Sequence, residues 1–595
     1  MIPWHKLPLP LALLDLVQTR NSLREKNLRD TSQIVDKETL PKPKQSPDSR
    51  HLVARTADGS FNDLTQPEMG MAGTRFGRNV PLAEASVDQK KLLTPNPRLV
   101  SSTLLKRDEF IPATILNLHA AAWIQFQTHD WFSHGENQPD NRFSVPPAQR
   151  NSGQASPEQP SSDQSDNQTL EVAKTLKDPS RADDNTRPAT FINHVTHWWD
   201  ASQLYGSDED TLHRLRTHEE GKMLIGEDGF LPLDDSTGID LVGFPGSAGG
   251  WWIGLSMLHT LFVKEHNTIC DRLKQRYPSW DDAQLFDKAR LINAALLAKI
   301  HTVEWTPAIL PNPATQIAMN ANWWGLLGKD VKNLTGHLGD GELLSGIVGS
   351  ETDHHGAPYY LTEEFVSVYR MHPLIPDEID FYAHRHGEHM AVKSFPDVFG
   401  RKTREAMQAM PIEDSFYSFG VQHPGAITLH NYPNFLRALM KDGSTEPFDL
   451  AAVDILRDRE RGVPRYNRFR EIMGTGRVSS FEEITSNRQW ARELREIYNN
   501  DINSVDLMVG LFAEDLPEGF GFSDTAFRVF ILMASRRLKS DRFFTKDYRA
   551  EIYTQFGLDW IDDNSFLTVL RRHYPALSPA LYGLSNGFQP WRKLS

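Results

Sequence analysis

Within the stretch Thr362-Glu-Glu-Phe-Val-Ser-Val-Tyr-Arg-Met-His-Pro-Leu-Ile-Pro-Asp377, Tyr369 stands three residues before His372. On a helix that spacing puts phenol and imidazole on one face, roughly 5–6 Å apart at Cβ. Were the imidazole to bind a haem iron, the phenol would lie beside the porphyrin. An oxidised haem could then take an electron from it and leave a tyrosyl radical. Two residues of an ordinary helix share the same spacing, so the pair needs support from elsewhere in the chain.

Support comes first from Ala120-Ala-Ala-Trp-Ile-Gln-Phe-Gln-Thr-His-Asp-Trp-Phe132, apolar on most sides and so a buried helix, which nonetheless carries Gln125 and His129 four residues apart on one face. An unpaired polar group there costs a few kcal/mol. Either each bonds a backbone carbonyl across a packed helix, or the two form a distal pair over a haem. In the second case His129 moves protons between the oxygens of a bound peroxide and Gln125 positions it. The next residue, Asp130, and the loop Thr196-His-Trp-Trp-Asp-Ala-Ser202 weigh towards the second. Thr196, Trp198, Asp200 and Ser202 alternate, so an extended loop can turn hydroxyl, backbone carbonyl, carboxylate and hydroxyl oxygens one way. That is a hard-oxygen set suited to Ca²⁺, with Asp130 completing the charge and tying the loop to the distal helix.

These residues sit in a chain of 595 residues with 64 Lys plus Arg against 78 Asp plus Glu, a net charge of −14. The balance argues against nucleic acid as the main partner and suits a soluble protein. Cys270 is the one cysteine. An intramolecular disulfide, a cysteine zinc site and c-type haem attachment are therefore excluded. The apolar patch Leu7–Val17, broken by prolines and Asp15, is too short for a membrane span, and only Lys6 precedes it where a signal peptide would want a basic region. Packing on the domain is expected of it; a peripheral membrane contact is the other reading. The expected setting is intracellular, soluble or peripherally membrane-associated, with no transmembrane segment.

Residues 29–60 read as an extended arm, and 61–97 are punctuated by Gly and Pro. Helical patterns run from Ala113, then over Met257–Arg276, Asp282–Trp305, Thr362–His372, Ala451–Met473, Trp490–Tyr498 and Ser523–Lys539. Residues 136–190, with the Ser/Gln/Pro/Asp-rich run Asn151–Gln168, read as a flexible surface loop holding no site. No repeat, Walker loop, GxGxxG after a strand or HExxH appears. His384, His386 and His389, and the pair His354–His355, resemble metal sites by composition alone. The expected architecture is mainly α: an N-terminal helix and extended arm over 1–60, then one large helical catalytic domain over 61–595.

The pairing Gln-x-x-x-His-Asp, the loop ending Asp200-Ala-Ser-Gln-Leu-Tyr-Gly206, the helix Leu258-His-Thr-Leu-Phe-Val-Lys-Glu-His-Asn267 and Arg457-Asp-Arg-Glu-Arg-Gly-Val-Pro-Arg-Tyr-Asn467 resemble the animal-type haem peroxidase and cyclooxygenase superfamily. Tyr369-Arg-Met-His-Pro resembles its cyclooxygenase and α-dioxygenase branch. The likeness to fatty acid α-dioxygenases is closer still and covers most of the chain, from Phe76-Gly-Arg-Asn79 to Asp541-Arg-Phe-Phe-Thr545. It includes Ala298-Lys-Ile-His-Thr-Val-Glu-Trp-Thr306, Ala321-Asn-Trp-Trp-Gly-Leu-Leu-Gly328 and Ala534-Ser-Arg-Arg-Leu538.

The resemblance implies a haem-peroxidase-like fold, with His129 as distal histidine, His372 as proximal iron ligand and Tyr369 as hydrogen-abstracting radical. It implies Asn467 bonding the proximal imidazole, and Asp130, Thr196, Trp198, Asp200 and Ser202 binding calcium. His301, Thr306 and Arg537 match residues that hold the fatty acid carboxylate. Thr128 stands where mammalian peroxidases carry a haem-esterifying aspartate, so haem b is expected to be non-covalent. The implied partners are a long-chain fatty acid, dioxygen and a peroxide activator. A carboxylate held deep presents C2 to the radical, whereas one held at a channel mouth presents the mid-chain. The expected product is a 2-hydroperoxy fatty acid. A peroxidase of small reductants and a non-catalytic haem or calcium module are the alternative readings.

Overall fold

The computed structural model describes residues 3–32, 41–44, 46, 48–148, 168–179, 188–244, 249–335, 337, 341–440 and 447–594. Helices dominate, and the strands among the described residues form three two-stranded antiparallel ribbons. One continuous apolar core runs through the helical body. No helix of the described residues is long and apolar enough to cross a membrane.

The N-terminal helix α1 (Leu9–Lys26) turns Ala12, Leu16 and Leu23 inward and leaves Leu9, Leu11 and Leu14 exposed. Just before it, Trp4 stacks on Phe527 at 5.4 Å and donates its Nε1–H to Asp524 at 2.8 Å. At its other end Arg20 and Arg24 converge on Glu342, at 2.5 and 2.7 Å. The helix therefore lies on the body of the molecule.

The distal helix α2 (His119–Trp131) starts six residues later than periodicity from Ala113 predicts. Just before it the Asn117 amide donates to the carbonyls of Gly587 and Gln589, both at 2.8 Å, tying the helix start to the C-terminal segment. Part of the stretch predicted as a loop pairs as β1 (Asn137–Val145) with β2 (Leu170–Thr175). Residues 149–167 and 180–187, which hold most of the Ser/Gln-rich run, lie outside the described residues.

Helices α3 (Ile253–Arg276) and α4 (Asp282–Ile300) pack on each other, the second opened by a capping box between Asp281 and Gln284. Helix α4 stops short of the predicted Trp305: His301–Trp305 form a π turn instead. Such widened turns are frequent at functional sites.

The pattern over Thr362–His372 also breaks early. Helix α5 spans Glu363–Val368. Tyr369 (φ −93°, ψ 10°) and Met371 (φ −96°, ψ 32°) leave the helix, and the chain resumes as a short 3₁₀ turn, His372–Leu374. Pro373 has no N–H with which to continue an α ladder. Likewise, the predicted Ala451–Met473 helix splits into α6 (Leu450–Glu460) and α7 (Tyr466–Ile472). Gly462 between them has φ +70°, and a Cβ there would meet the Ala85 carbonyl oxygen at 2.0 Å. Helix α8 (Asp524–Ser540) closes the core and carries Arg536 and Arg537.

Glu342 neutralises two largely buried guanidinium groups. Glu342→Ala is expected to cost about 3 kcal/mol, read as a lowered Tm by thermal unfolding.

Candidate active site

His372 leaves about a third of its side chain exposed, with Nδ1 2.9 Å from Asp454 Oδ2. Asp454 is itself held by Arg370 (2.5 Å) and by the Tyr432 hydroxyl (2.9 Å). Arg370 also reaches Asp458 at 3.1 Å, and Ser367 donates to Asp458 at 2.7 Å. Burial pushes the Asp454 carboxyl up, but His372, Arg370 and the hydrogen bonds outweigh it and bring it to about 2. The anion beside Nδ1 favours a proton there, which leaves Nε2 the basic nitrogen for a metal.

Asn467 does not take this part. Its amide donates to the Val478 carbonyl (3.1 Å) and Asn503 (3.0 Å) and accepts from the Val478 N–H (2.8 Å). It fastens α7 to the following loop, and the residue beside the His372 imidazole is Asp454, at 2.9 Å, and not Asn467. The expected common helical face of Tyr369 and His372 is corrected too, because the helix ends between them.

On the distal helix, His129 stacks flat on Phe244, with centroids 4.1 Å apart at 6°. Burial first, and His259 second, lower its pKa to about 3. The ring is therefore neutral near pH 7, and its Nδ1 has no hydrogen-bond partner among the described residues. Gln125 is engaged at both ends: Oε1 accepts from Trp252 Nε1 (2.8 Å) and Nε2 donates to the Gly250 carbonyl (3.0 Å). It braces the 250–252 segment instead of offering a free amide.

Tyr369 is buried, its ring edge-on to Trp131 at 5.1 Å and tilted on Phe365 at 4.6 Å. Burial raises its pKa, so the phenol keeps its hydrogen. Two of the three residues expected to hold a carboxylate, Arg537 and His301, share Trp131 with it, and Thr306 is bonded to the His301 carbonyl. Arg537 is 2% exposed, its guanidinium carbon 4.0 Å from the Trp131 ring and 4.3 Å from that of Trp199. Its Nε and Nη2 have no hydrogen-bond partner among the described residues. His301, in the π turn, stacks on Trp305 at 4.7 Å and meets Trp131 and Trp199 edge-on at 5.2 Å each.

Burial and then Arg537 push His301 well below its usual pKa, so the ring is neutral. Trp123 Nε1–H donates to His301 Nδ1 at 3.2 Å. An accepting Nδ1 leaves the proton on Nε2, so His301 is a donor on its free side. Thr306 is buried, but its hydroxyl donates to the His301 carbonyl at 2.9 Å. It shapes the turn and, in this arrangement, is not a free donor.

The calcium candidates also converge. Asp130 Oδ1 accepts from the Ser202 N–H (2.5 Å) and hydroxyl (2.9 Å), and Thr196 donates to Asp200 Oδ1 at 2.9 Å. Ala201 between them has φ +62°, a strained setting for a non-glycine residue. Burial, then Asp200, raise the Asp130 carboxyl to about 8, and its Oδ2 has no partner among the described residues. The Trp198 indole is turned away to the Gly59 carbonyl at 2.9 Å.

The animal haem peroxidase family matches residues 54–581. Alpha-dioxygenase PIOX of Oryza sativa subsp. japonica is 38% identical over 607 residues, covering 99% of this chain and 93% of its own. The crystal structure of Oryza sativa fatty acid alpha-dioxygenase matches with a TM-score of 0.89 at 36% identity, over 99% of this chain and 94% of that one. The chain belongs to the animal haem peroxidase family, in its α-dioxygenase branch. A tyrosine-to-phenylalanine variant of the rice enzyme, determined with palmitic acid, matches with a TM-score of 0.88 over the same shares.

A haem peroxidase binds haem, and the residues here suit it. His372 offers a nitrogen backed by a carboxylate, and His129 offers a neutral ring with an unpartnered nitrogen. Sequence reading missed Asp454, Trp123, Trp131 and Trp199. Asp454 had a signal, since two carboxylates one turn apart in the apolar run Leu450–Leu456 and beyond require a cation such as Arg370. The tryptophans had none, because their partners are distant in sequence. Asp454→Ala is expected to weaken haem binding roughly 10- to 100-fold, measured by Soret titration, with Asn467→Ala leaving it unchanged.

Proposed function

We propose that this α-dioxygenase adds dioxygen at C2 of a long-chain fatty acid, with Tyr369 as the hydrogen-abstracting residue and Arg537 and His301 as carboxylate anchors. The observation that carries the assignment is Arg537: a guanidinium 2% exposed, with two unpartnered nitrogens, sharing Trp131 with Tyr369. A buried cation without its counter-ion is costly, and a bidentate carboxylate repays it. The rice relative's structure with palmitic acid supports a fatty acid as that carboxylate. Since C2 is bonded to the carboxyl carbon, anchoring the headgroup beside Tyr369 presents C2 and no mid-chain carbon.

Bound haem, held at His372, supplies the oxidising equivalents drawn from a peroxide. His129, neutral and stacked on Phe244, accepts a proton from one peroxide oxygen and returns it to the other. Tyr369 loses a hydrogen atom, not a proton alone, because burial disfavours the phenolate. The resulting radical takes one hydrogen from C2, dioxygen adds there, and the peroxyl radical recovers a hydrogen from Tyr369. The product is a 2-hydroperoxy fatty acid, which can lose CO₂ and water to give an aldehyde one carbon shorter.

Thr128 supports non-covalent haem b: its hydroxyl is spent on the Gln125 carbonyl at 3.0 Å, and it has no carboxylate with which to form an ester. Asp130 and Asp200, with the Thr196 and Ser202 hydroxyls and the Trp198 carbonyl, suit Ca²⁺. Two mutually repelling buried carboxylates and an unpartnered Oδ2 are what a divalent cation offsets.

Haem-loaded protein given palmitate without added reductant is expected to consume oxygen and form the 2-hydroperoxide, identified by mass spectrometry. Tyr369→Phe should abolish that uptake with the Soret band intact; uptake retained by the variant removes the tyrosine from the chemistry. Chelation is expected to lower Tm and loosen the distal helix, and added Ca²⁺ to restore both. A Tm indifferent to chelator and cation counts against the calcium assignment.

A further inference from the structure

The positive charge of Arg537 is clamped between two indoles. Its guanidinium carbon sits over Trp131 at 4.0 Å and Trp199 at 4.3 Å. Trp131 in turn meets Tyr369 edge-on at 5.1 Å and Trp199 at 5.8 Å and 90°. Tyr369, Trp131 and Trp199 thus form a chain of touching oxidisable rings. A tyrosyl radical at its head has an indole as immediate neighbour, and passing the hole down the chain would waste the oxidant before substrate is attacked.

We propose that Arg537 confines the radical to Tyr369 by making its two flanking tryptophans hard to oxidise. The inference rests on the reading of Tyr369 as the radical residue and adds a second role to Arg537. A cation over an aromatic face is attracted by the neutral ring and repelled by its radical cation, strongly so in a site without water. Proton loss, the usual escape from that repulsion, is closed as well. The Trp131 Nε1–H has no acceptor among the described residues. The Trp199 Nε1–H is held by the amide oxygen of Gln127 at 2.9 Å, a weak base.

The suppressed step balances without further reagents. One electron leaves the Trp131 indole for the Tyr369 phenoxyl, and the Nε1 proton follows to the phenoxyl oxygen. The N–H bond breaks and the O–H bond forms. Removing the charge at residue 537 lifts the repulsion and makes that transfer feasible.

The test is electron paramagnetic resonance of haem-loaded full-length protein, freeze-quenched after hydrogen peroxide and without fatty acid. Samples are grown with ring-deuterated tyrosine or with ring-deuterated tryptophan. In the unsubstituted protein only tyrosine labelling should narrow the signal. In Arg537→Gln the tyrosyl signal is expected to be lost and replaced by one that tryptophan labelling narrows. Arg537→Lys, which keeps the charge, should retain the tyrosyl signal, and Arg537→Gln combined with Trp131→Phe should regain it.

A tyrosyl signal unchanged in Arg537→Gln overturns the confinement. A signal absent from the unsubstituted protein, or persisting in Tyr369→Phe, overturns the reading of Tyr369 instead. Should Arg537→Gln fail to take up haem, Trp131→Phe alone decides. Radical decay equal to that of the unsubstituted protein supports confinement, and a longer-lived radical shows that Trp131 drains Tyr369 despite the cation and overturns it.

Discussion

A guanidinium held out of water and, among the described residues, ion-paired with no carboxylate is the constraint around which the site is built. Arg537 gains some stabilisation from the faces of Trp131 and Trp199, from Tyr359, whose hydroxyl it meets, and then from the field of Asp130, yet two of its nitrogens stay unpartnered among the described residues. The indoles that clamp it both meet His301 edge-on, and Trp131 also touches Tyr369. Arg537, His301 and Tyr369, the proposed anchors and the proposed radical residue, are therefore tied together through Trp131, and a displacement of that indole moves all three.

The proximal side depends on a different charge balance. Asp454 and Asp458, one turn apart on α6, share Arg370, and Asp454 stands against His372. Arg370 lies between the tyrosine and the histidine in sequence, so this ion-pair network pins the turn that joins them. The helix break at Tyr369 lets the phenol go inward to Trp131 while His372 keeps its ring partly open. A continuous helix would have forced both onto one face.

Helix α2 and the 196–202 loop, proposed to hold Ca²⁺, are joined through adjacent residues. His129 and Asp130 are neighbours on α2, and Asp130 is bonded to Ser202 through both backbone and hydroxyl. Whatever neutralises Asp130 and Asp200 thereby fixes the helix that carries the distal imidazole. Trp131, the next residue, extends the same link to the carboxylate site.

Residue types and local spacing settled a good deal without coordinates. The apolar run 120–132 with a histidine and an aspartate, the alternating oxygens of 196–202, and the tyrosine three before a histidine all encode chemistry within short windows, where chain geometry is limited. Helical periodicity along the chain gave the mainly helical architecture, and these windows named Tyr369, His129, Asp130 and the 196–202 loop as candidates. Long-range partners had no such signal. Asp454 replaced Asn467 beside the imidazole, Gln125 turned out to be spent on the Trp252 indole and the Gly250 carbonyl, and Thr306 on the His301 carbonyl. Trp123 set the proton of His301 from 178 residues away. Which polar atoms are already spent and which are left free is decided only when distant segments pack, because each hydrogen bond depends on which groups meet across the core. So the composition of the site lay in the sequence, while its protonation, its anchors and its aromatic cage were decided by the tertiary fold.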